Sequence, residues 1–258
     1  MLITSVSVVF AQDQVFIKER ETQKIQELRV LYRNQVESYR GAEKLFLVAK
    51  TNFGQVDTLA ALEEAVLATQ KLMLERNNVM ITYLELIQAL LAETNGVELD
   101  LKNQSSSQIT SLITTLRLHQ DDIILSKDRQ AMALLADNFE PIAVEYQASV
   151  YKTLSLIRIG RIQEVVDKSA IIYADIKQEH SSGEASSLQE SRRQRAYAEI
   201  DRSFTTINAS IAQLNDSFME RKGKDLNRQF YENILRGLAP VYAEISRLLQ
   251  FLEELTTL

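Results

Sequence analysis

Two histidines are the side chains of this sequence best suited to acid–base or metal chemistry. They are His119 and His180, and the absence of cysteine excludes both a thiol nucleophile and thiolate metal ligands. A di-iron site of the kind built inside helical bundles needs a glutamate three residues before each histidine. Leu116 and Lys177 occupy those two positions. The sequence therefore excludes such a di-iron centre.

His119 leaves two interpretations open. With Asp122, one helical turn further on, it would offer a nitrogen and a carboxylate to a weak metal site, but zinc requires three or four ligands. We favour a partly buried imidazole that is hydrogen-bonded within a helical seam. His180 stands near a predicted helix end, where the helix dipole stabilises a positive charge. We predict no catalytic, cofactor-binding or metal-ligating residues and no enzyme; the competing enzyme hypothesis depends on a buried carboxylate such as Glu85.

The sequence also lacks the motifs and the charge that phosphate-binding and nucleic-acid-binding proteins carry. The sequence contains no Gly-x-Gly-x-x-Gly, Walker or Gly-x-Ser-x-Gly motif. Its net charge of −6 disfavours a general nucleic-acid-binding protein, which would carry a basic excess. A basic cluster at residues 192–195 (Arg-Arg-Gln-Arg) is flanked by Glu190 and Glu199, and we interpret it as a solvated helix face.

The elements that would position these side chains are helices. Of 258 residues only seven are glycine and two proline, while 45% are hydrophobic. That composition favours helices over β-turns, and no alternating strand pattern is flanked by turn signals. The predicted fold class is all-α: an elongated antiparallel helical bundle, or coiled-coil hairpins, of about six long helices.

A helical hairpin is predicted over residues 12–96. A break at residues 51–54 separates its helices, and Asp57 or Thr58 would cap the second one. Residues 79–92 are apolar around most of the helix, which predicts burial among several neighbours, and Gly96 suits a left-handed helix end. The first helix carries a seam at coiled-coil spacing: Ile25, Leu28, Tyr32, Gln35, Tyr39, Ala42, Phe46, Ala49 and Phe53.

A helical pair is predicted over residues 105–180, after a connector at 96–104. A capping box of Ser105 and Gln108 would start the third helix, which runs to about residue 136. Pro141 suits the first turn of the fourth helix, over about 139–179, and residues 137–141 form either a turn or a kink. The seams are Ile109, Leu112, Leu116, His119 and Ile123 in the third helix, and Tyr146, Val150, Leu154, Ile157, Val165, Val166 and Ile172 in the fourth.

A C-terminal hairpin is predicted over residues 186–258. A capping box of Ser187 and Glu190 would start its first helix, and Pro240 predicts a kink or a late start within its second. The three segments could equally form one bundle domain. The seams are Tyr197, Ile200, Phe204, Ile207, Ile211, Leu214 and Phe218, and then Leu238, Val241, Ile245, Leu248, Leu252 and Leu255.

Residues 1–11 have the pattern of a signal-peptide remnant. Residues 2–10 are apolar and uncharged but too few to span a bilayer, and Val9 and Ala11 occupy the −3 and −1 positions of a cleavage site. The basic start of a signal peptide is missing, so the alternative is an apolar lead-in to the first helix. We favour export to the periplasm, the cell surface or the medium, with a mature chain that starts at Gln12 and has no transmembrane helix.

Residues 37–96 carry a set of features at the spacing of a helical hairpin. They are Ser-Tyr-Arg at 38–40, Ala42, a Phe-Gly break at 53–54, Asp-Thr-Leu at 57–59, Ala61, Arg76, Tyr83, Leu91 and Gly96. This segment resembles a helical hairpin of TolC-type outer-membrane efflux proteins, in which such segments build a periplasmic α-helical tunnel. The sequence departs from that family in lacking β-strand segments and a second copy of the motif. The resemblance implies similar geometry and assigns no functional residue.

Taken together, these patterns predict a non-enzymatic, exported helical-bundle scaffold or protein-interaction module of the cell envelope. Its partner would be another protein, or a second copy bound through coiled-coil faces, and no cofactor or nucleic acid is expected. The alternative function is a tunnel-forming or adaptor component of an efflux or transport assembly.

Overall fold

The computed structural model describes the backbone of residues 4–181, 186–219, 221 and 223–258, and the side chains of residues 22–181, 186–218, 221 and 223–258. Within these residues every regular element is helical, which confirms the all-α prediction. The helices are α1 (Thr4–Val56), α2 (Leu59–Glu93), α3 (Leu99–Leu125), α4 (Arg129–Asp137), α5 (Phe139–Ser181), α6 (Ser187–Met219) and α7 (Arg228–Thr256), with a 3-10 turn at Gly223–Asp225. The side chains of residues 1–11 lie outside the described residues, so the export signal stays a prediction.

The chain divides into two compact units. One comprises the chain up to Glu93 together with Asn103–Val150, and the other comprises Thr94–Lys102 together with Tyr151–Leu258. The α1–α2 hairpin belongs to the first unit and the α6–α7 hairpin to the second. In each hairpin, two helices that follow one another in the chain pack along their length.

The α1–α2 hairpin is held together by the predicted seam. Ile25 and Leu28 pack against Leu86 of α2, and the ring centroid of Tyr32 lies 5.2 Å from that of Tyr83. A fully buried leucine contributes about 1.5 to 3 kcal/mol, so a long seam stabilises the pair strongly. The seam residues are either buried (Ile25, Leu28, Ala42, Ala49) or half-buried (Tyr32, Gln35, Tyr39, Phe46, Phe53).

The turn between α1 and α2 lies later than the predicted break. Gly54 lies inside α1, which continues to Val56, so the expected break at residues 51–54 is wrong. Asp57 has a φ of 44°, in the left-handed region that a short polar residue tolerates better than most. The hydroxyl of Thr58 accepts a hydrogen bond of 3.3 Å from the Ala61 N–H, which makes Thr58 the cap of α2.

The third predicted helix starts earlier than expected and is divided. Because α3 begins at Leu99, Ser105 and Gln108 lie inside it and do not form an N-terminal capping box. The helix ends at Leu125, and the Asp128 carboxylate caps α4 by accepting a hydrogen bond of 2.8 Å from the backbone of Ala131. The inward seam is nevertheless as predicted, because all five of its members are buried.

The seam predicted along the fourth helix fails at two positions. Val165 and Ile172 are exposed. At 100° per residue, Val165 lies about 100° and Ile172 about 120° around the helix from the buried Val166, so neither side chain lies on the buried stripe. Val166 is buried as predicted, and the other buried positions at this end of α5 include Ser169, Tyr173 and Ile176.

The α6–α7 hairpin follows its predicted seams, with corrections at both helix starts. The reciprocal capping box is made one residue earlier than predicted, by Ser186 with Gln189. Asn227 caps α7, accepting a hydrogen bond of 3.1 Å from the Phe230 N–H. Pro240 lies within α7, so the expected late helix start is wrong.

The segment after α2 packs on α5 through two glycines. Gly96 does not have the positive φ that was expected of it. Among the described glycines, Gly223 alone has a positive φ. Instead, a Cβ on Gly96 would overlap the carbonyl oxygen of Gly160 and lie 2.8 Å from the backbone nitrogen of Glu164. The Asn95 N–H donates to the Glu164 carboxylate beside this contact. Glycine is therefore required here by the close approach of two backbones.

Candidate interaction surface

His119 lies in the interior of the first unit, where it joins four helices. Its Nδ1 accepts a hydrogen bond of 2.9 Å from the Asn77 side-chain amide in α2, and its Nε2 donates to the Leu135 carbonyl in α4 at 3.2 Å. The Phe139 ring of α5 lies 5.4 Å away. The imidazole is buried, which confirms the favoured interpretation. Because both ring nitrogens are engaged and Asp122 is exposed, the two residues do not form a metal-ligand pair.

Arg76 places a positive charge beside this histidine. The guanidinium carbon lies 3.3 Å from the centroid of the Phe139 ring, in a cation–π contact. Its Nε and Nη2 are buried and hydrogen-bond to none of the described residues. Burial lowers the pKa of Arg76 to about 10, so the side chain remains charged at neutral pH. The contact with the Phe139 ring thus offsets part of the cost of burying the Arg76 guanidinium.

Acidification is expected to destabilise the first unit through His119. Burial is the largest cause that lowers the pKa of His119 from 6.5; the hydrogen bond to Leu135 opposes it, and Arg76 adds to it. The unfolded chain therefore takes up this proton at a higher pH than the folded chain, and stability falls as the pH drops below about 6.5. We expect the unfolding free energy to fall more between about pH 7.5 and 5.5 in the unmodified chain than in His119→Gln.

Urea unfolding followed by circular dichroism at the two pH values measures this difference. His180 and all carboxylates are shared by both chains, so their titration cancels in the comparison. Glutamine keeps hydrogen-bonding capacity at this position without titrating. Equal losses in the two chains would show that His119 does not couple protonation to folding.

Glu85 and His180 make structural contacts. Glu85 pairs with Arg117 at 3.1 Å, and its side chain is 32% exposed, so it is not the deeply buried carboxylate on which the enzyme hypothesis depends. His180 lies in the last turn of α5, with Nδ1 2.8 Å from the Tyr197 hydroxyl. Burial, followed by the charge of Arg193, lowers the pKa of His180. A neutral ring, rather than the expected cation, is therefore favoured at neutral pH.

The basic cluster at residues 192–195 is not a uniformly solvated face. Arg193 is buried, and its Nη2 donates to the carbonyl oxygen of Leu258 at 2.9 Å. Arg195 pairs with Glu254 of α7 at 2.8 Å. The expectation is thus wrong for Arg193, which ties α6 to the end of the chain.

Metal coordination and membrane spanning find no support within the residues described. Among the described side chains, no group of three or more histidine, aspartate or glutamate residues lies close enough together to hold a metal ion. In the part of the chain that the structure describes, no helix combines the length and the apolarity needed to cross a bilayer.

A second repeating face on α1, uncharged and partly apolar, was not identified from the sequence. It lies roughly a third of a turn around the helix from the buried seam and repeats with the same three- and four-residue spacing. Its six residues are exposed, at 44% for Leu31, 54% for Leu45 and 66% for Val48. We call it the outer face and define it as Leu31, Asn34, Ser38, Gly41, Leu45 and Val48.

The outer face is uncharged throughout. The charged residues of the same stretch lie at other positions of the helix: Arg33, Glu37, Arg40, Glu43, Lys44 and Lys50. The strip extends for about 25 Å along α1, at 1.5 Å per residue. Leu45 and Val48 lie next to each other at one end of this strip and Leu31 lies at the other, with small or polar residues between them. Exposed apolar side chains on one uncharged strip make it a candidate interaction site.

Leu118 shows the contrast on α3. Its side chain is 60% exposed. The exposed Asp121 and Asp122 border it on one side along the helix, and Thr114 and Thr115 border it on the other. Leu118 is therefore not part of an uncharged strip like the outer face, and a single exposed leucine needs no partner. The signal for the outer face was present in the sequence as Leu31, Leu45 and Val48. The more prominent seam from Ile25 to Phe53 already accounted for the amphipathic pattern, so this second repeat was overlooked.

No protein-family model, curated protein or solved structure matches this chain. The resemblance of residues 37–96 to a TolC-type hairpin therefore stays a prediction.

Proposed function

We propose that this chain is a non-enzymatic, exported helical-bundle protein that serves as a scaffold or protein-interaction module of the cell envelope. The outer face of α1 is the observation that carries the proposal. Its three large apolar side chains are exposed and share one uncharged strip of the helix, with small or polar residues between Leu31 and Leu45. Burying such a strip against another protein removes apolar surface from water, at about 25 cal/mol per Å².

The first residues of the sequence support export of the chain to the cell envelope. Residues 2–10 are uncharged and mostly apolar, and Val9 and Ala11 fit the −3 and −1 positions of a signal-peptidase site. Complete lack of cysteine is compatible with an oxidising compartment and needs no disulfide there. The mature chain would begin at Gln12.

Site-specific photo-crosslinking in the native cells tests this function. A benzophenone amino acid placed at Val48 is expected to give covalent protein adducts of discrete mass, because another protein covers this position. The matched control is Leu118, whose exposed fraction of 60% is close to the 66% of Val48. Irradiation there is expected to give few adducts.

The adducts also test export and specificity. Mass spectrometry of the crosslinked chain is expected to find Gln12 at its amino terminus. Leu31→Lys, about 25 Å from Val48 along the same helix, should reduce the adducts at Val48. Equal adduct yields from Val48 and Leu118 would contradict an interaction role for the outer face.

The alternative is a tunnel-forming or adaptor component of an efflux or transport assembly. It is favoured by the two apolar faces of α1, since a hairpin helix in a closed ring must contact its own partner helix and a neighbouring hairpin. This alternative predicts ring-shaped oligomers in negative-stain images.

A further inference from the structure

We infer that the outer face of α1 binds the same face of a second copy of this chain, with the two α1 helices antiparallel and Ser38 opposite Gly41. This inference rests on the proposed function, because it names the partner of the same face. It follows from three features of α1: the symmetry of the spacing, the distribution of residue sizes, and the charges beside the face.

The spacing of the outer face is the same in both chain directions. Successive residues are separated by three, four, three, four and three positions. A face of this kind is self-complementary about a two-fold axis. With the axis between Ser38 and Gly41, Leu31 of one copy lies opposite Val48 of the other, and Asn34 opposite Leu45.

The sizes of the side chains support a two-fold axis between Ser38 and Gly41. Two packed helices cross at an angle, so their backbones approach most closely at one point and separate on either side of it. Ser38 and Gly41 are the smallest side chains of the face and lie at its centre, while Leu31 and Val48 lie at its ends. Close approach at the centre and filled gaps at the ends are what a crossing pair requires.

No contact within the described residues requires glycine at position 41. A Cβ at this position would meet no atom within 4 Å, and the residue is exposed in the middle of a helix, where glycine is unfavourable compared with alanine. Glycine at this position lets a second helix approach the backbone of α1 closely.

The charges beside the face select the antiparallel direction. Glu37 and Lys44 border the same edge of the outer face, and both are exposed. In the antiparallel register, Glu37 of each copy lies beside Lys44 of the other. This arrangement gives two ion pairs, each between a glutamate and a lysine. Glu37 already pairs with Arg40 at 2.8 Å, but that pair is exposed and leaves the other carboxylate oxygen available. In a parallel pair, Glu37 and Lys44 of different copies would be about 10 Å apart along the axis.

Charge exchange in the full chain tests the inference. Sedimentation velocity is expected to show a concentration-dependent dimer. Glu37→Lys and Lys44→Glu should each weaken dimerisation about tenfold, because two attractive pairs become repulsive. The double variant should regain the unmodified affinity. Glu43→Lys makes the same charge change on the opposite side of α1 and should leave dimerisation unchanged.

Disulfide crosslinking fixes the register, since the chain has no native cysteine. A mixture of Leu31→Cys and Val48→Cys chains should form a mixed disulfide, whereas Leu31→Cys alone should not. Crosslinking by Leu31→Cys alone would overturn the antiparallel arrangement, as would a ring-shaped oligomer. A chain that stays monomeric at all concentrations would overturn the inference but not the proposed function, which adducts of Val48 with another protein would still support.

Discussion

Gly96→Ala is expected to lower the free energy of unfolding by about 2 to 3 kcal/mol. The added methyl group would overlap the carbonyl oxygen of Gly160 and crowd the backbone nitrogen of Glu164. Both are main-chain atoms, so no side-chain rotation relieves the contact, and the segment must move away from α5. Urea unfolding followed by circular dichroism measures the loss, and hydrogen exchange should accelerate at Thr94–Lys102.

Gly54→Ala is the matched control for this substitution. A Cβ on Gly54 would meet no atom within 4 Å, and the residue lies within α1. The same chemical change is therefore expected to raise the free energy of unfolding, by about 0.5 to 1 kcal/mol, through the better helix propensity of alanine. If Gly96→Ala were as harmless as Gly54→Ala, the close backbone approach would be refuted.

Leu116→Ala is expected to cost about 3 kcal/mol of unfolding free energy. The Leu116 side chain has no exposed surface, and its neighbours Leu112 and Ile113 on α3 are buried as well. Truncation would remove its transfer free energy and leave a cavity that packed helices cannot close fully. Thermal and urea unfolding of the full chain measure the loss.

Leu118→Ala, two residues further along the same helix, makes the identical change on the exposed side. Its cost is expected to stay below about 0.5 kcal/mol, because the side chain is 60% exposed. Comparable losses at the two positions would mean that α3 does not direct the predicted seam into the core.

Much of this fold could be predicted because long helices repeat one simple pattern. The α7 seam from Leu238 to Leu255 is buried at every predicted position, since burial of one stripe is what stabilises such a helix. Thr58 was among the two predicted caps of α2, because its hydroxyl can satisfy a free N–H at a helix start.

Predictions failed where distant contacts decide the outcome. The spacing of Gly96 from the end of α2 indicated a helix cap, but its partner Gly160 is 64 positions away in the sequence, and local pattern cannot show that contact. Arg193 lay within a polar run that indicated solvent, yet its guanidinium bonds to Leu258. Helix boundaries near Leu99 and Leu125 were also missed, although the Asp128 cap of α4 is a local contact with Ala131.

The outer face was missed for a different reason. Periodicity was assigned to one seam per helix, and α1 has two at the same spacing. The exposed fractions of Leu31, Leu45 and Val48 separate the seam that faces α2 from the one that faces solvent. Exposure, which only the structure provides, turns an apolar repeat into a candidate binding surface.

The ratio of photo-crosslinked protein adducts formed from Val48 and from Leu118 in native cells tests the role of the outer face most directly. The two side chains are exposed to a similar extent, at 66% and 60%, so solvent accessibility alone predicts a ratio near one. We predict a ratio well above one, with adducts of discrete mass that diminish in Leu31→Lys. Equal yields, or adducts that are unaffected by Leu31→Lys, would contradict a binding role for this face.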